Sequence, residues 1–139
     1  MIVDTYALMA KATGEITPKA NECLENVRSG KIKGTIHPVI TYEFLLQFHR
    51  GRIPIFETPE ETLGFLETYF STVELSNRVA LTAAEIRFKS EALVTTLKRN
   101  LSVCDSLTIA IAKKTKTPIM TGDKALQVVA EKENVDIIW

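Results

Sequence analysis

Hydrophobic and polar positions along the chain fall into two alternating patterns. Short apolar runs recur at Ile2-Val3, Gly34-Thr-Ile-His37, Thr72-Val-Glu-Leu75, Pro118-Ile-Met120 and Asp136-Ile-Ile-Trp139, and each predicts a strand. Between them the spacing changes to three and four. Pro18 opens a helix through Ala20, Cys23, Leu24 and Val27 that Gly30 ends. Pro38 opens another, with Ile40, Phe44, Leu45 and Phe48 on its buried stripe before Gly51. Pro59-Glu-Glu-Thr is an acidic first turn, favourable against the helix dipole, for a helix continuing through Leu63, Leu66, Tyr69 and Phe70. One long helix is predicted from about Arg78 to Lys98, then one from Val103 to Lys114 and one from Ala125 to Lys132.

Strands too short and too apolar to show a wet face, alternating with helices, are the signature of a parallel sheet covered on both sides. The expected fold is a three-layer α/β/α sandwich with a central, mainly parallel sheet. The 139 residues suit one domain spanning 1–139, with no repeat or linker to divide it. In such sheets ligands bind beyond the carboxyl ends of the strands, and that rule selects the polar residues to consider.

Composition changes this picture little. The chain is 45% hydrophobic and 24% charged, within the range of ordinary globular domains. No apolar run reaches the roughly 20 residues of a spanning helix, so no membrane partner is expected. Met-Ile-Val-Asp-Thr lacks the basic and apolar regions of a secretory signal. The two cysteines, Cys23 and Cys104, lie far apart without zinc-site spacing, and a reducing cytoplasm is the expected setting. Charge matters more in its distribution than in its sum. The 17 basic and 17 acidic side chains cancel, unlike a dedicated nucleic-acid binder. Yet Arg87, Lys89, Lys98, Arg99, Lys113, Lys114 and Lys116 form a basic stretch opposed only by Glu91 and Asp105. Lys89, Lys98 and Arg99 are its candidate phosphate contacts, against the alternative of a solvated face.

Four acids stand out by position. Asp4 follows the first strand and Asp123 follows Pro118-Ile-Met120, so both should emerge at the carboxyl edge of the sheet. Asp105 begins a helix whose face of Leu107, Ile109, Ala110 and Ile111 pins it to the sheet. Glu43 interrupts the apolar run Val39-Ile-Thr-Tyr-Glu-Phe-Leu-Leu and needs a partner, because burying an unpaired charge is costly. Carboxylates converging on one edge repel one another unless a cation compensates them. Hard oxygen ligands without clustered His or Cys suit Mg²⁺ or Mn²⁺ rather than zinc. The competing reading makes Asp4, Asp105 and Asp123 helix N-caps, the commoner role for an aspartate before a helix.

The ordered set resembles the PIN-domain family over essentially the whole chain. Val3-Asp4-Thr5 resembles its opening motif, and Glu43 on an early apolar helix its second acid. Leu101-Ser-Val-Cys-Asp105-Ser-Leu-Thr-Ile-Ala-Ile-Ala112 resembles the central motif, and Pro118-Ile-Met-Thr-Gly-Asp123-Lys124 the closing one. VapC-type toxins and free-standing microbial PIN proteins are similar. Ser106 departs from the small apolar residue of many relatives. The resemblance implies a metal-dependent endoribonuclease with Asp4, Glu43, Asp105 and Asp123 as its acids and Thr5 and Thr121 as supporting groups. Asp4 and Asp105 would be direct metal ligands, and Asp123 a direct or water-mediated one. Glu43 would steady the cluster or position the attacking water. The implied partners are an RNA substrate, an antitoxin protein and a second copy in a homodimer. Helices carrying Phe44, Leu45, Phe48, Phe65 and Tyr69 are candidates for an antitoxin groove, if they are not simply core.

Two rivals fit less well. A haloacid-dehalogenase-type phosphatase wants an acid two residues after its nucleophile, where Tyr6 stands, and another four after its Gly-Asp aspartate, where Gln127 stands. A non-catalytic or regulatory interaction module built on the same fold is the other reading. The presence of all four acids argues against decay of the site but not against a regulatory role.

Overall fold

A computed structural model describes residues 1–139. Its centre is a five-stranded, wholly parallel sheet in the order β3-β2-β1-β4-β5. The strands are β1 (Ile2–Val3), β2 (Thr35–Ile36), β3 (Ser71–Thr72), β4 (Ile119–Met120) and β5 (Ile137–Ile138). Helices α1 (Thr5–Thr13), α2 (Pro18–Arg28), α3 (Pro38–His49), α4 (Pro59–Tyr69), α5 (Asn77–Ser90), α6 (Val94–Leu97), α7 (Val103–Thr115) and α8 (Lys124–Lys132) flank it. The expected three-layer sandwich is therefore the observed one. No helix is long and apolar enough to cross a membrane.

The core explains the short strands. Ile2, Val3, Ile119 and Met120 are all but inaccessible, so the two central strands are covered on both faces. They join one cluster of 29 buried residues that includes Leu8, Phe44, Leu66, Ile109 and Leu126. Helix α7 is the most deeply sunk, buried continuously from Cys104 to Ala112, and packs against α5.

Two expected elements differ. The third strand lies at Ser71–Thr72 instead of 72–75, because register with β2 pairs Thr35 with Ser71 and Ile36 with Thr72. Beyond it only the Val73 amide continues the ladder, to the Ile36 carbonyl at 2.8 Å. The long helix from Arg78 to Lys98 is broken. Ser90 donates its hydroxyl to the Arg87 carbonyl at 2.7 Å, offering the backbone a competing partner. A 3₁₀ turn at Glu91–Leu93 follows, and α6 ends where Lys98 takes a left-handed φ of 59°. That break re-aims the next residue, Arg99.

The chain proceeds outward from β1 through β2 to β3, then returns to the other side for β4 and β5. The carboxyl ends of β1 and β4 thus flank a topological switch point, where parallel α/β sheets open a crevice.

Candidate active site

Local geometry delivers two of the acids to that crevice. The Asp4 amide donates to the Met120 carbonyl at 3.1 Å, so the chain leaves β1 and β4 side by side. Asp4 then caps α1 through the Tyr6 amide at 3.3 Å, and Asp123 caps α8 through the Leu126 amide at 2.9 Å. Capping and convergence turn out to be compatible: a cap residue at the end of a buried strand is already at the sheet edge. Asp105 is not a cap. Ser102 caps α7, and Asp105 answers three residues later, its Oδ2 accepting from the Ser102 amide at 2.9 Å in a reciprocal capping box. That contact fixes the carboxylate over the helix N-terminus, where its charge is favoured.

Hydroxyls hold the remaining geometry. Thr121 donates to Asp4 Oδ2 at 2.8 Å and accepts from the Asp123 amide at 3.1 Å, linking the two strand-end acids. Thr5 donates to Glu43 Oε2 at 2.8 Å, which supplies the partner that a carboxylate in the apolar face of α3 requires. All four acids line one cleft of about 380 Å³ together with Thr5, Tyr6, Met9, Gln47, Arg52, Arg99 and Ser102.

The electrostatics are strained in one direction. Asp4 is 4% exposed, and its pKa is pushed up to about 7, first by burial and then by the charge of Asp105. Cys104, buried behind the same acids, has its thiol pushed far up by burial and by the charges of Glu43, Asp4 and Asp105. It is therefore a neutral packing residue and no nucleophile.

Arg99 is the local counterion. Its guanidinium donates to Asp105 Oδ2 at 3.0 Å and to Asp123 Oδ1 at 2.7 Å. Burial disfavours its charge, but the hydrogen bonds to Asp123 and Asp105 outweigh that and raise its pKa. Arg99 is thus held across the acids at the edge of the cleft while its side chain stays 40% exposed, and Lys89 and Lys98 are exposed as well. As the side chains stand, no group of three His, Cys, Asp or Glu is arranged to hold a metal ion. The donor set nevertheless fits a hard divalent cation, because one arginine leaves the neighbouring pair Asp4 and Asp105 undercompensated.

Sequence reasoning missed four lining residues. Ser102 was legible as the first member of a Ser-x-x-Asp capping box. Gln47, one turn after Glu43 on α3, accepts from Arg52 at 2.9 Å and places that arginine at the cleft. Met9, one turn after Thr5 on α1, and Tyr6 carried no signal of their own. His37 is fully buried and lies outside the cleft; its Nε2 is 3.0 Å from the Thr108 hydroxyl, whereas its Nδ1 has no hydrogen-bond partner.

The family profile described as PIN domain matches residues 1–132. Among solved structures, VapBC2 from Rickettsia felis, bound to a DNA fragment from its promoter, aligns at a TM-score of 0.68 and 14% identity. That alignment covers 98% of this chain and 95% of the other. FitAcB from Neisseria gonorrhoeae aligns at a TM-score of 0.57 and 13% identity, over 98% and 94% of the two chains. No curated protein matches the sequence.

Proposed function

The chain belongs to the PIN-domain family, and from that premise we propose that it is one PIN domain over residues 1–139 acting as a Mg²⁺- or Mn²⁺-dependent endoribonuclease. The observation that carries this reading is the cleft itself: Asp4, Glu43, Asp105 and Asp123 line one recess at the switch point of a parallel sheet. A divalent ion bound there would lower the pKa of a coordinated water and neutralise charge on a phosphodiester.

The chain's own residues divide the remaining work. Asp4 and Asp105 hold the cation, being the buried neighbouring pair whose mutual repulsion it relieves. Asp123, more open at 27% side-chain exposure, completes the set directly or through water. Thr121 aligns Asp4 through its hydroxyl, and Thr5 steadies Glu43 so that it orients the attacking water. Arg99 pairs with Asp105 and Asp123, so a cation held by these acids would compete with its guanidinium. That guanidinium is partly exposed at the edge of the cleft, where it would meet a phosphate. Lys89 and Lys98 extend the basic surface along the strand being cut.

The structural neighbours named as VapBC2 and FitAcB support an antitoxin partner, for which the apolar groove between α1, α2 and α4 is the seat. Leu81 and Phe88, one above the other on α5 and 52% and 75% exposed, offer an apolar face for a homodimer. The unpaired cysteines suit a reducing cytoplasm.

Purified protein should cut single-stranded RNA with Mg²⁺ or Mn²⁺ and stop in EDTA. Asp105→Asn should keep the fold, since asparagine can still accept from the Ser102 amide, and lower cleavage about 100-fold or more. Cleavage that persists undiminished in that variant or in EDTA would remove the assignment.

A further inference from the structure

The lip of the acid cleft carries an aromatic pair that the carboxylates do not use. Tyr6, the second residue of α1, lines the cleft beside Asp4 and Asp123 and keeps 46% of its surface exposed. Trp139 meets it edge-on, with ring centroids 5.4 Å apart and planes at 79°. Trp139 is itself anchored, packed against the central core. Beneath both rings runs the backbone of Gly122. A Cβ there would stand 2.5 Å from Tyr6 Cε1 and 2.6 Å from Trp139 Cε2 and Cζ2, although the φ of Gly122 is not in the left-handed range. The glycine is required by space alone. Thr121-Gly122-Asp123 thus does two things at once: it delivers an acid to the cleft and lets two rings settle onto the strand end beside it.

Resting on the nuclease reading, we propose that Tyr6, steadied by Trp139, is a stacking platform for the nucleobase adjoining the phosphodiester held at the carboxylates. The pair is built for this in three respects. The edge-on contact with Trp139 restrains the tyrosine ring, which still keeps 46% of its surface exposed. The ring lies two residues from Asp4 and one helix cap away from the reacting edge, so a nucleotide whose phosphate reaches the acids brings a base to Tyr6. The acid cleft itself offers little to a base, with only two hydrophobic residues among its eleven, so the ring is the cleft's one aromatic surface.

The consequence is a substrate class. Every base has a π-face, so stacking tolerates sequence, but a base inside a duplex has both faces covered and must first be unstacked. The platform therefore selects single-stranded RNA over paired RNA with little preference for base identity. Tyr6 acts in specificity and positioning; it touches no reacting atom.

Trp139 is the only tryptophan, so its emission reports on the platform directly. The experiment titrates the protein with a short oligouridine strand, a length-matched strand carrying an abasic site, and an RNA duplex, each in EDTA and in Ca²⁺. Binding is followed by Trp139 fluorescence and by anisotropy of a labelled strand. Oligouridine should change Trp139 emission. Tyr6→Ala should weaken its binding about tenfold, and Tyr6→Phe should stay within about twofold of wild type. The abasic strand should bind wild type about as poorly as oligouridine binds Tyr6→Ala, a comparison that holds even if the alanine variant folds badly. Equal affinity of wild type for intact and abasic strands, or for duplex and single strand, would overturn the platform and leave the nuclease reading standing. Binding of no strand under any condition would remove both.

Discussion

Two recesses of about 380 Å³ each share the helices α1 and α3 as a wall, and they are made of contrary materials. The groove bordered by α1, α2 and α4 is lined by twelve residues, nine of them hydrophobic, among them Leu8, Leu24, Phe44, Phe65 and Tyr69. The acid cleft has eleven, of which only two are hydrophobic. Helix α1 sends Leu8 and Ala12 to the first and Thr5, Tyr6 and Met9 to the second; α3 sends Phe44 to one and Glu43 and Gln47 to the other. The difference teaches where each chemistry can live. Helix sides supply apolar surface for a partner, whereas strand ends supply the convergent polar groups for a reaction. Adjacent residues on one helix, Glu43 and Phe44, put the two a single residue apart. The Thr5–Glu43 hydrogen bond ties both helices together at the reactive end.

The largest effect that would sharpen this contrast is electrostatic. In the metal-free protein Asp4 has its pKa at about 7 through burial and the Asp105 charge, far above an ordinary carboxylate near 3.9. Between those values the native state keeps a proton that the unfolded chain has lost, so Asp4 makes stability fall as pH rises from about 4 to 7. His37 acts the other way. Burial lowers its pKa to about 4, so acid titrates the unfolded chain first and stability falls as pH drops below about 6.5. Wild type therefore carries two opposing slopes. Asp4→Asn removes the first and should leave stability climbing with pH across that window, by on the order of a few kcal/mol. Urea unfolding in EDTA across the range measures it. The same pH profile in both proteins would mean that the acid cleft is no more strained than the surface.

A smaller effect separates the recesses. Ile55 lines the groove and is 64% exposed, so Ile55→Asp should change global stability by no more than about 0.5 kcal/mol. RNA cleavage should stay within about twofold, while binding of the protein encoded by the adjacent gene should weaken about tenfold or more. Loss of cleavage in this variant would show that the two faces are not chemically separate.

How much of this could be read from the sequence depends on the range of the interactions involved. Asp4 and Asp123 were legible because each directly follows a buried strand, and one rule about parallel sheets places them together. Glu43 was legible as a charge in an apolar run. Arg99 was legible only as part of a basic stretch and not as the counterion of two acids. Its partners lie 6 and 24 residues away, and its direction depends on a helix break at Ser90 that composition does not announce. Alanine and leucine between Arg78 and Lys98 favour continuation, and a single hydroxyl-to-carbonyl bond at Ser90 stands against them. The third strand slipped by one residue for a similar reason, because its position belongs to its pairing with β2. Tyr6 was visible only as the wrong residue for a phosphatase; its use depends on Trp139, from the far end of the chain.

The smallest effect concerns Arg99. If its guanidinium must leave Asp105 and Asp123 before a cation enters, Arg99→Gln should bind Mn²⁺ severalfold more tightly than wild type. Calorimetric titration of both proteins measures this, and equal affinities would return Arg99 to a passive role.

The wild-type half of that titration, paired with thermal melts, tests the central claim most directly, because it needs no knowledge of substrate or partner. The account predicts that Mn²⁺ binds the acid cleft and stabilises the fold by about 2.7 kcal/mol at a hundred times its dissociation constant, and that Asp105→Asn largely erases the gain. A wild-type protein that neither binds Mn²⁺ nor melts higher in its presence would contradict it.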